Sequence, residues 1–535
     1  MNTLLPRYAI LFVIVVGVYL ALSWHFDWLE MNHFGWQVFA LRLFCSLSVG
    51  VLIVSFTAWL LDAEARTRKV FLGWCGCLSM LLAIFWPGFI MSDSYAAYMY
   101  VNSLPLDSWL GYGYLLWCSA ILQVAPEFWA VALTQVLLLA WTIARMDAVL
   151  RPHLAARTLL FHFGLALSIP FLFNSILITR DQLFAICTTA ALVETWRVCV
   201  KRRGSRHELL SLSFLYASML IMRSDGIVIV GMFTVALWAF VGGSRYVVTS
   251  CFALALSAIA LVLMPRITGV SKDEFGYRMS LTLNPLGYII QHNYESPDRA
   301  RLEREIDKVV DVDKVKDLST ADEIPVLWAG GLRRNSTEEE RRNYYRIFYE
   351  LVKDNPELLL EGRWQTFLGA TGLAKRTLTF MPFDVQAAWE ADPTSRDEDQ
   401  PLVRLEPFWG RLRSGSIKLM SPLLDPPNRL VRAIVWTFLP HLLLLVFLAT
   451  RYKLAPVTSL CSIALLSRVP LLFLLEPGSH FKYYLFLISG AVFLVCAWRA
   501  ELSLAEKTKA GIASSLTDSP LRDATDLTVT LNHSR

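Results

Sequence analysis

Charged side chains are scarce in this sequence of 535 residues. Asp, Glu, Lys and Arg make up 18% of it, whereas hydrophobic residues make up 55%. A soluble globular protein typically carries about a quarter charged residues. Apolar runs that are long enough to cross a hydrocarbon core of roughly 30 Å recur along the chain. The composition therefore predicts a polytopic membrane protein with an all-α architecture, because helices satisfy their own backbone polar groups in lipid.

Sequence patterns that would indicate several other functions are missing. No G-x-x-x-x-G-K-[ST] motif occurs, so ATP-driven transport has no support, and no H-E-x-x-H motif occurs, which removes the common zinc proteases. The nine cysteines lie in apolar segments and give neither a disulfide framework nor a zinc-ligand spacing. No internal repeat is visible. These absences leave the charged residues near the ends of the apolar runs as the informative feature.

The apolar runs predict about twelve membrane spans. A cytoplasmic N-terminus places the basic segments 66–69, 145–157 and 201–206 on one side, as the positive-inside rule requires, with Arg42 as an exception. The segment 110–125 is apolar but short, and we predict an interfacial or re-entrant helix there. The predicted spans are at about 8–24, 39–61, 70–90, 127–143, 157–178, 182–199, 208–222, 225–242, 246–264, 432–450, 454–475 and 483–499.

These spans divide the chain into four parts. An N-terminal bundle, 1–264, contains a first acidic outer-face loop at 91–126. The polar stretch 265–430 has helix-like patterns and is predicted to form a mostly helical, soluble or interfacial region on the outer face. The C-terminal transmembrane helices follow at 431–500. The segment 501–535 ends in a stretch rich in Ser, Thr and Asp, which predicts a disordered cytoplasmic tail.

Two local signals fall within the outer-face region. Ser336 is followed three residues later by Glu339, the spacing of a capping box at a helix N-terminus. The pair Asn355-Pro356 predicts a helix break, because the residue before proline avoids the α conformation.

Ionisable residues recur at the predicted outer ends of the spans. Asp93 follows the third span in the segment PGFIMSDSYAAY, and no Lys or Arg occurs between Lys69 and Arg145 to neutralise it. Charged side chains at membrane depth are costly and usually face a bundle interior or a water-filled cavity. Short later junctions carry the other charges, namely Arg180, Asp181, Arg223, Asp225, Glu476, His480 and Lys482.

Each of these charges alone could be a local ion pair or an acid that favours a helix N-terminus. Their recurrence at several junctions favours a cavity that holds both acids and bases. In such a cavity a carboxylate can act as a general base on an attacking hydroxyl or amine. Arg, Lys and His can hold a phosphate leaving group. This layout suits an amphiphilic donor whose phosphate lies at the interface and whose chain lies in lipid.

Four short motifs carry a resemblance to a known superfamily. The acid in PGFIMSDSYAAY, the segment TRDQLFA with Arg180-Asp181, the Arg223-to-Gly226 turn and the segment NPELLLEGRWQTF are similar to motifs of the family C membrane glycosyltransferases. This GT-C superfamily includes protein mannosyltransferases and lipid A aminoarabinose transferases. Two features depart from its pattern: LDSWLGYGYLLW replaces a His-Pro-Pro stretch, and the acidic loop follows the third span instead of the first.

The resemblance implies a GT-C-like bundle and a transfer reaction on the outer face. A hexose or pentose would move from a polyprenyl-phosphate donor to a cell-envelope acceptor, which is a glycan, a lipid or a protein. Asp93 would be the general base and Asp181 a second acid; the two would permit a Mg²⁺ or Mn²⁺ ion without requiring one. The implied substrate-binding residues are Arg180, Arg223, Asp225, His480 and Lys482.

Two alternatives from the sequence stay open. A transporter or flippase of a lipid-linked or anionic substrate would also carry charges in a membrane bundle, but its site is expected near the bilayer midplane. A polysaccharide polymerase or ligase would share the lipid-linked substrate. The short loops favour a bacterial inner membrane, with both termini in the cytoplasm, and no nucleic-acid partner is expected.

Overall fold

The computed structural model describes most of the chain. The described residues are 5–27, 35–90, 93–94, 97–98, 101, 111–154, 157–242, 244–268, 274–292, 294–296, 298–373, 409–424 and 429–517. Their regular structure is helical, and extended residues pair only in two isolated bridges within this part of the chain, Phe89 with Leu177 and Val310 with Leu332. The predicted all-α architecture is therefore confirmed for the described residues.

The first half of the chain is a succession of helices. Their bounds are α1 Leu5–Phe26, α2 Gly35–Asp62, α3 Ala65–Ile84, α4 Tyr112–Leu122, α5 Phe128–Leu154, α6 Thr158–Ala166, α7 Ile169–Ser175, α8 Arg180–Lys201, α9 Arg206–Met222, α10 Ile227–Val241 and α11 Ser244–Thr268. Of the predicted acidic loop 91–126, residues 93–94, 97–98, 101 and 111–126 are described.

The second half contains a short-helix region and then the C-terminal bundle helices. The former comprises α12 Glu274–Gln291, α13 Arg299–Asp307, α14 Val312–Leu318, α15 Pro325–Trp328, α16 Glu338–Asp354 and α17 Pro356–Ala370. The latter comprises α18 Gly410–Leu424, α19 Arg429–Val435, α20 Leu439–Ala449, α21 Pro456–Leu466, α22 Val469–Leu475 and α23 Leu485–Thr517.

Eight helices among the described residues are long and apolar enough to cross a membrane. They are α1, α2, α3, α5, α8, α10 with the turn before it, α21 continued by α22, and α23 with the turn before it. The chain is therefore a multi-pass membrane protein. The predicted count of twelve stays a prediction, because the four other proposed spans, which fall in α6 and α7, in α9, in α11, and in α19 and α20, are not among these eight helices.

The differences from the predicted spans have local causes. The proposed span 157–178 is the pair α6 and α7, whose axes differ by 72°. Ser168 accepts a hydrogen bond from the Phe171 backbone N–H and begins α7 in a new direction, with Pro170 in its first turn. The proposed span 432–450 is broken between α19 and α20. Within the segment 110–125, α4 has 11 residues that rise only about 16 Å, too little to cross a bilayer core.

Helix α8 lies at the centre of the bundle and is buried along most of its length. It packs against α5, α9, α10, α21 and α23. Small and hydroxylated residues allow close approach and bond across the helices: Thr189 contacts Ser489 at 2.7 Å, and the Trp196 indole donates to Thr458 at 3.1 Å. These contacts hold α8 in place along its length. A charged cluster lies toward each of its ends.

One of these clusters surrounds Glu194, near the C-terminal end of α8. Its carboxylate accepts hydrogen bonds from Arg145 at 3.0 Å and from Arg197 at 2.8 Å, and Arg197 also pairs with Glu208. Glu194 is thirteen residues from Asp181, a rise of about 20 Å along the helix. The buried Glu194 carboxylate thus has arginine partners on α5 and α8, and Arg197 extends the ion pairs to α9. These ion pairs connect the three helices.

The short-helix region α12–α17 has a hydrophobic core of its own. Met279, Leu286 and Ile306 are fully or almost fully buried in that core, which is separate from the core of the bundle. Helix α16 begins with a capping box between Thr337 and Glu340, so the predicted pair Ser336 and Glu339 is wrong by one residue.

The predicted break before proline is confirmed in the same region. Helix α16 ends at Asp354 and α17 begins at Pro356. Residues 374–408 and 425–428 of the predicted outer-face region lie outside the described residues.

The last helix is longer than the sequence predicted. Helix α23 continues to Thr517, so the predicted disorder is wrong for residues 501–517. Glu501 explains part of this extension, because its carboxylate accepts hydrogen bonds from the backbone N–H groups of Val457 and Thr458 at 3.0 Å each. Residues 518–535 lie outside the described part of the chain.

Candidate functional site

A backbone bridge brings the Asp93 segment to the start of α8. The Phe89 N–H donates to the Ile176 carbonyl at 3.1 Å, and the Ile178 N–H donates to the Phe89 carbonyl at 3.0 Å. Gly88 precedes the bridge with a φ of +107°, and a Cβ there would lie 2.9 Å from the Ile176 oxygen. Glycine is therefore required at the turn that directs the chain toward Asp93.

Side chains reinforce this bridge on both sides of Asp93. The Ser94 hydroxyl donates to the Ile178 carbonyl, and the Tyr114 hydroxyl reaches the same oxygen at 3.3 Å. Thr179 begins α8 by accepting a hydrogen bond from the Gln182 N–H. Asp181 thus lies in the first turn of α8, where the helix dipole favours a carboxylate.

Lys482 lies between the two acids. Its ammonium contacts the Asp93 carboxylate at 2.6 Å and is 4.0 Å from the nearest Asp181 oxygen. The Lys482 side chain is 5% exposed and that of Asp181 is 2% exposed, whereas that of Asp93 is 28% exposed. Asp93 is unpaired in the local sequence, but it has a partner 389 residues away. It is the more accessible acid of the two.

Arg223 joins Asp181 to the turn before α10. Its guanidinium contacts Asp181 directly and reaches the Asp225 carboxylate at 3.1 Å. Gly226 closes this turn against Phe184 of α8, since a Cβ there would lie 2.9 Å from the aromatic ring. The Arg-x-Asp-Gly sequence therefore holds an ion pair in a turn that only a small residue can close.

Arg468 was missed by the sequence analysis. It lies in the interruption between α21 and α22, 1% exposed, and its guanidinium contacts Asp225 at 2.7 Å. It also lies over the Phe184 ring at 4.3 Å and donates to the Tyr483 carbonyl at 3.1 Å. A basic residue inside the apolar run LLSRVPLLF was the available signal, because charge at membrane depth needs a partner.

These residues form one connected group, called the acid–base cluster from here on. Its members come from five separate places in the chain and are Asp93, Asp181, Arg223, Asp225, Arg468 and Lys482. Five of them are predicted from the sequence, and Arg468 is the sixth. Arg180, also predicted, lies near enough to stabilise the Asp93 carboxylate electrostatically.

The charges of the cluster alter the proton affinity of Asp93. Burial opposes its ionisation, but the Lys482 ammonium, through its charge and its hydrogen bond and together with the nearby Arg180 charge, holds the pKa of Asp93 at about 2. Asp93 is therefore ionised at neutral pH and tied to a cation. When another anion competes for Lys482, the pKa of Asp93 rises and Asp93 becomes a stronger base.

His480, which was also predicted to bind the donor, differs in charge from Arg223 and Lys482. Burial, with the nearby Lys482 charge, lowers the pKa of His480 to about 3. Its imidazole is therefore neutral at physiological pH and offers an N–H group instead of a positive charge. Among the described residues, Arg223 and Lys482 remain the better phosphate ligands.

Glu476 anchors the loop that carries His480 and Lys482. Its carboxyl group accepts hydrogen bonds from the His480 backbone N–H at 2.8 Å and from the Tyr484 hydroxyl at 2.9 Å. Burial raises the pKa of Glu476 to about 8. The protonated form therefore prevails at neutral pH, and the loop is fixed without an additional buried charge.

The short-helix region clamps the same loop from the other side. Arg363 of α17 donates to the Glu476 carbonyl at 2.5 Å and also contacts Asn284 of α12. The Ser479 N–H donates to the Asp322 carbonyl at 2.9 Å. Arg363 was also missed, because a basic residue in a polar region gives no signal of burial. The position of Lys482 thus depends on both parts of the molecule.

The acids fit a divalent metal ion poorly. Ca²⁺ and Mg²⁺ require several oxygen ligands at about 2.0–2.6 Å. No group of three His, Cys, Asp or Glu residues that could hold a metal occurs in the described part of the chain. Asp93 and Asp181 already face the Lys482 ammonium, and Asp181 also faces Arg223. The place between the two acids is thus taken by a protein cation.

Comparisons with known proteins give no further guide. No protein family, no curated protein and no solved structure matches this chain. The acid–base cluster therefore carries the functional information in this chain, because it offers an accessible carboxylate beside cations suited to phosphate.

Proposed function

We propose that this protein is a membrane glycosyltransferase of the GT-C type. It transfers a sugar from a polyprenyl-phosphate donor to a cell-envelope acceptor, which is a glycan, a lipid or a protein. The observation that carries the proposal is the acid–base cluster, where the partly exposed Asp93 lies beside Lys482 at an end of a membrane bundle. A donor with its chain in the bilayer presents its phosphate at such an end.

The proposed reaction is a displacement at the anomeric carbon of the sugar. The acceptor oxygen forms a bond to this carbon, the bond from the carbon to the phosphate oxygen breaks, and the phosphate leaves with the electron pair. Asp93 accepts the hydroxyl proton as general base. Lys482 and Arg223 neutralise the phosphate through charge-assisted hydrogen bonds. Arg180 and the neutral His480 border the same position as further donor-binding candidates.

The second acid has a positioning role in this scheme. Asp181 fixes the Arg223 guanidinium and faces Lys482 across 4.0 Å. Asp225 and Arg468 hold Arg223 and the Tyr483 backbone in turn. The donor phosphate then competes with Asp93 for Lys482, which frees the carboxylate to take a proton when the donor is bound.

The proposed location is the bacterial inner membrane, with both termini in the cytoplasm and the acid–base cluster on the outer face. This orientation follows from the basic segments 66–69, 145–157 and 201–206 and the positive-inside rule. The short-helix region α12–α17 contacts the loop that carries Lys482, and it would help to select the acceptor.

The test compares wild-type protein with Asp93→Asn in a strain that lacks the native copy. Mass spectrometry of extracted lipids, envelope polysaccharides and glycoproteins is expected to show a sugar-sized mass that depends on the wild type. A general base contributes roughly 10²–10⁴-fold, so the variant should lose transfer by about that factor while the donor lipid accumulates. Asp298→Asn, at an exposed position of the short-helix region, is the matched control.

The same experiment decides between the proposal and its alternatives. Full turnover by Asp93→Asn at equal protein level would remove Asp93 as the base. If neither the deletion nor the variant changes any covalent product, transport or flipping of a lipid-linked or anionic substrate becomes the better account. A change in polymer length without loss of one sugar unit would instead indicate a polymerase or ligase.

A further inference from the structure

The two acids of the acid–base cluster share one cation that belongs to the chain. The Lys482 ammonium contacts Asp93 at 2.6 Å, and the Asp181 oxygen that faces it at 4.0 Å has no hydrogen-bond partner among the residues that the structure describes. Asp181 is almost fully buried, so this oxygen cannot rely on bulk water. Two carboxylates from distant junctions therefore converge on a single ammonium group.

We infer that Lys482 occupies the position that a divalent cation would otherwise take between Asp93 and Asp181, so that the site carries its own cation. In the proposed transfer reaction this makes the protein independent of Mg²⁺ and Mn²⁺. That consequence rests on the proposed function, whereas the position of the cation can be tested by metal binding alone.

The surrounding charges favour a lysine over a metal ion. Arg223 contacts Asp181 and Arg180 lies close to both acids, so a divalent ion that approached while Lys482 is in place would face three protein cations. Like charges at close range are strongly repulsive where the surroundings are poorly solvated. Without Lys482, no ammonium group would lie between the Asp93 and Asp181 carboxylates.

An ammonium group also retains donors for a substrate. It carries three N–H groups, and the Asp93 contact uses one of them. A remaining donor can turn to a phosphate oxygen while the contact with Asp93 lengthens. A bound metal would act on the same phosphate by direct coordination, so the lysine replaces both the charge and the bridging role.

The test measures Mn²⁺ binding to purified full-length protein in detergent by electron paramagnetic resonance. Wild type and Lys482→Arg are expected to bind no more Mn²⁺ than Asp298→Asn. Lys482→Ala is expected to bind more Mn²⁺ than the wild type, because both acids remain as ligands, the cation between them is gone and water can complete the coordination. Adding Asp93→Asn to Lys482→Ala should abolish this gain. Gel filtration checks that each variant is folded, and Lys482→Ser replaces Lys482→Ala if the latter aggregates.

Two results would overturn the inference. One is stoichiometric Mn²⁺ binding by the wild type that is lost in Asp93→Asn. The other is the absence of any gain in folded Lys482→Ala and Lys482→Ser. Neither result depends on sugar transfer, so the proposed function is judged separately by the mass spectra. Loss of wild-type transfer in EDTA, restored by Mg²⁺ or Mn²⁺, would also contradict metal independence.

Discussion

At the scale of single residues, the site separates charged groups from neutral ones by burial and by partners. Lys482 keeps Asp93 ionised, whereas burial keeps Glu476 protonated and His480 neutral. Arg468 contacts the Asp225 carboxylate, and Asp225 is in turn the counter-charge of Arg223. A phosphate that enters the site therefore meets two positioned cations, while the neutral groups hold the loop.

Glu476 gives the protein a pH-dependent stability. Its pKa is raised from 4.5 to about 8, so the folded state holds a proton that the unfolded state releases above about pH 4.5. The free energy of unfolding should therefore fall as pH rises from about 4.5 to about 8. Glu476→Gln, which cannot ionise, should remove this part of the decline in thermal unfolding measured in detergent at several pH values.

The matched control for this experiment is Glu339→Gln, which changes an exposed acid of α16. It should follow the wild-type pH dependence. If Glu476→Gln and wild type lose stability in parallel between about pH 5 and about pH 8, the carboxyl group of Glu476 is not protonated in the folded protein.

At the scale of elements, the bridge between Phe89 and Leu177 decides where Asp93 lies. It ties the segment after α3 to the segment before α8, and Ser94 and Tyr114 add side-chain hydrogen bonds to it. The bend between α6 and α7 leaves the chain in position for this pairing. The acid pair is thus held by backbone contacts near the ends of two membrane helices.

Gly88→Ala should disrupt this arrangement. The residue has a φ of +107°, and its new Cβ would meet the Ile176 oxygen at 2.9 Å. Strain of this kind costs about 1–3 kcal/mol, and relief by breaking the bridge would move Asp93 away from Asp181. Thermal unfolding should show the loss of stability, and any sugar transfer should fall with it.

Gly76→Ala provides the contrast within the neighbouring helix. A Cβ at Gly76 meets nothing within 4 Å, and alanine favours a helix over glycine by about 0.5–1 kcal/mol. This variant should be neutral or slightly stabilised. Equal stability of the two alanine variants would show that the Gly88 turn is not under steric constraint.

At the scale of the whole molecule, the short-helix region and the membrane bundle meet at the loop 476–482. Arg363 reaches the loop from α17, and Phe367 of the same helix packs against Phe438 and Tyr484. The loop presents Lys482 to Asp93 on its other side. Contacts made by the short-helix region therefore support the geometry of the acid–base cluster.

Arg363→Met should loosen this connection without touching the cluster directly. The guanidinium is fully buried and bonds the Glu476 carbonyl, so its loss leaves that oxygen without this donor. Hydrogen exchange followed by mass spectrometry should show faster exchange in peptides that cover 476–484. Arg342→Met, at an exposed position of α16, should leave exchange in this loop unchanged. Unaltered protection in Arg363→Met would contradict the clamp.

The sequence by itself determined the membrane class, the all-α architecture and the junctions that carry charge. Hydropathy is a property of contiguous residues, and so is the helix break at Asn355-Pro356. Predictions that depend on single residues were less accurate. The capping box lies at Thr337 instead of Ser336. The composition of the tail predicted disorder after residue 500, whereas α23 continues there and Glu501 bonds to α21.

Only the tertiary structure decided which charges pair with which. Lys482 contacts Asp93, which is 389 residues away in the sequence, and Arg468 contacts Asp225, which is 243 residues away. No local sequence pattern predicts pairs that are so far apart along the chain. Burial then set the protonation of His480 and Glu476, because the cost of charging a group depends on everything packed around it. Charge type can be found in the sequence, whereas charge partnership and proton affinity arise from the packed fold.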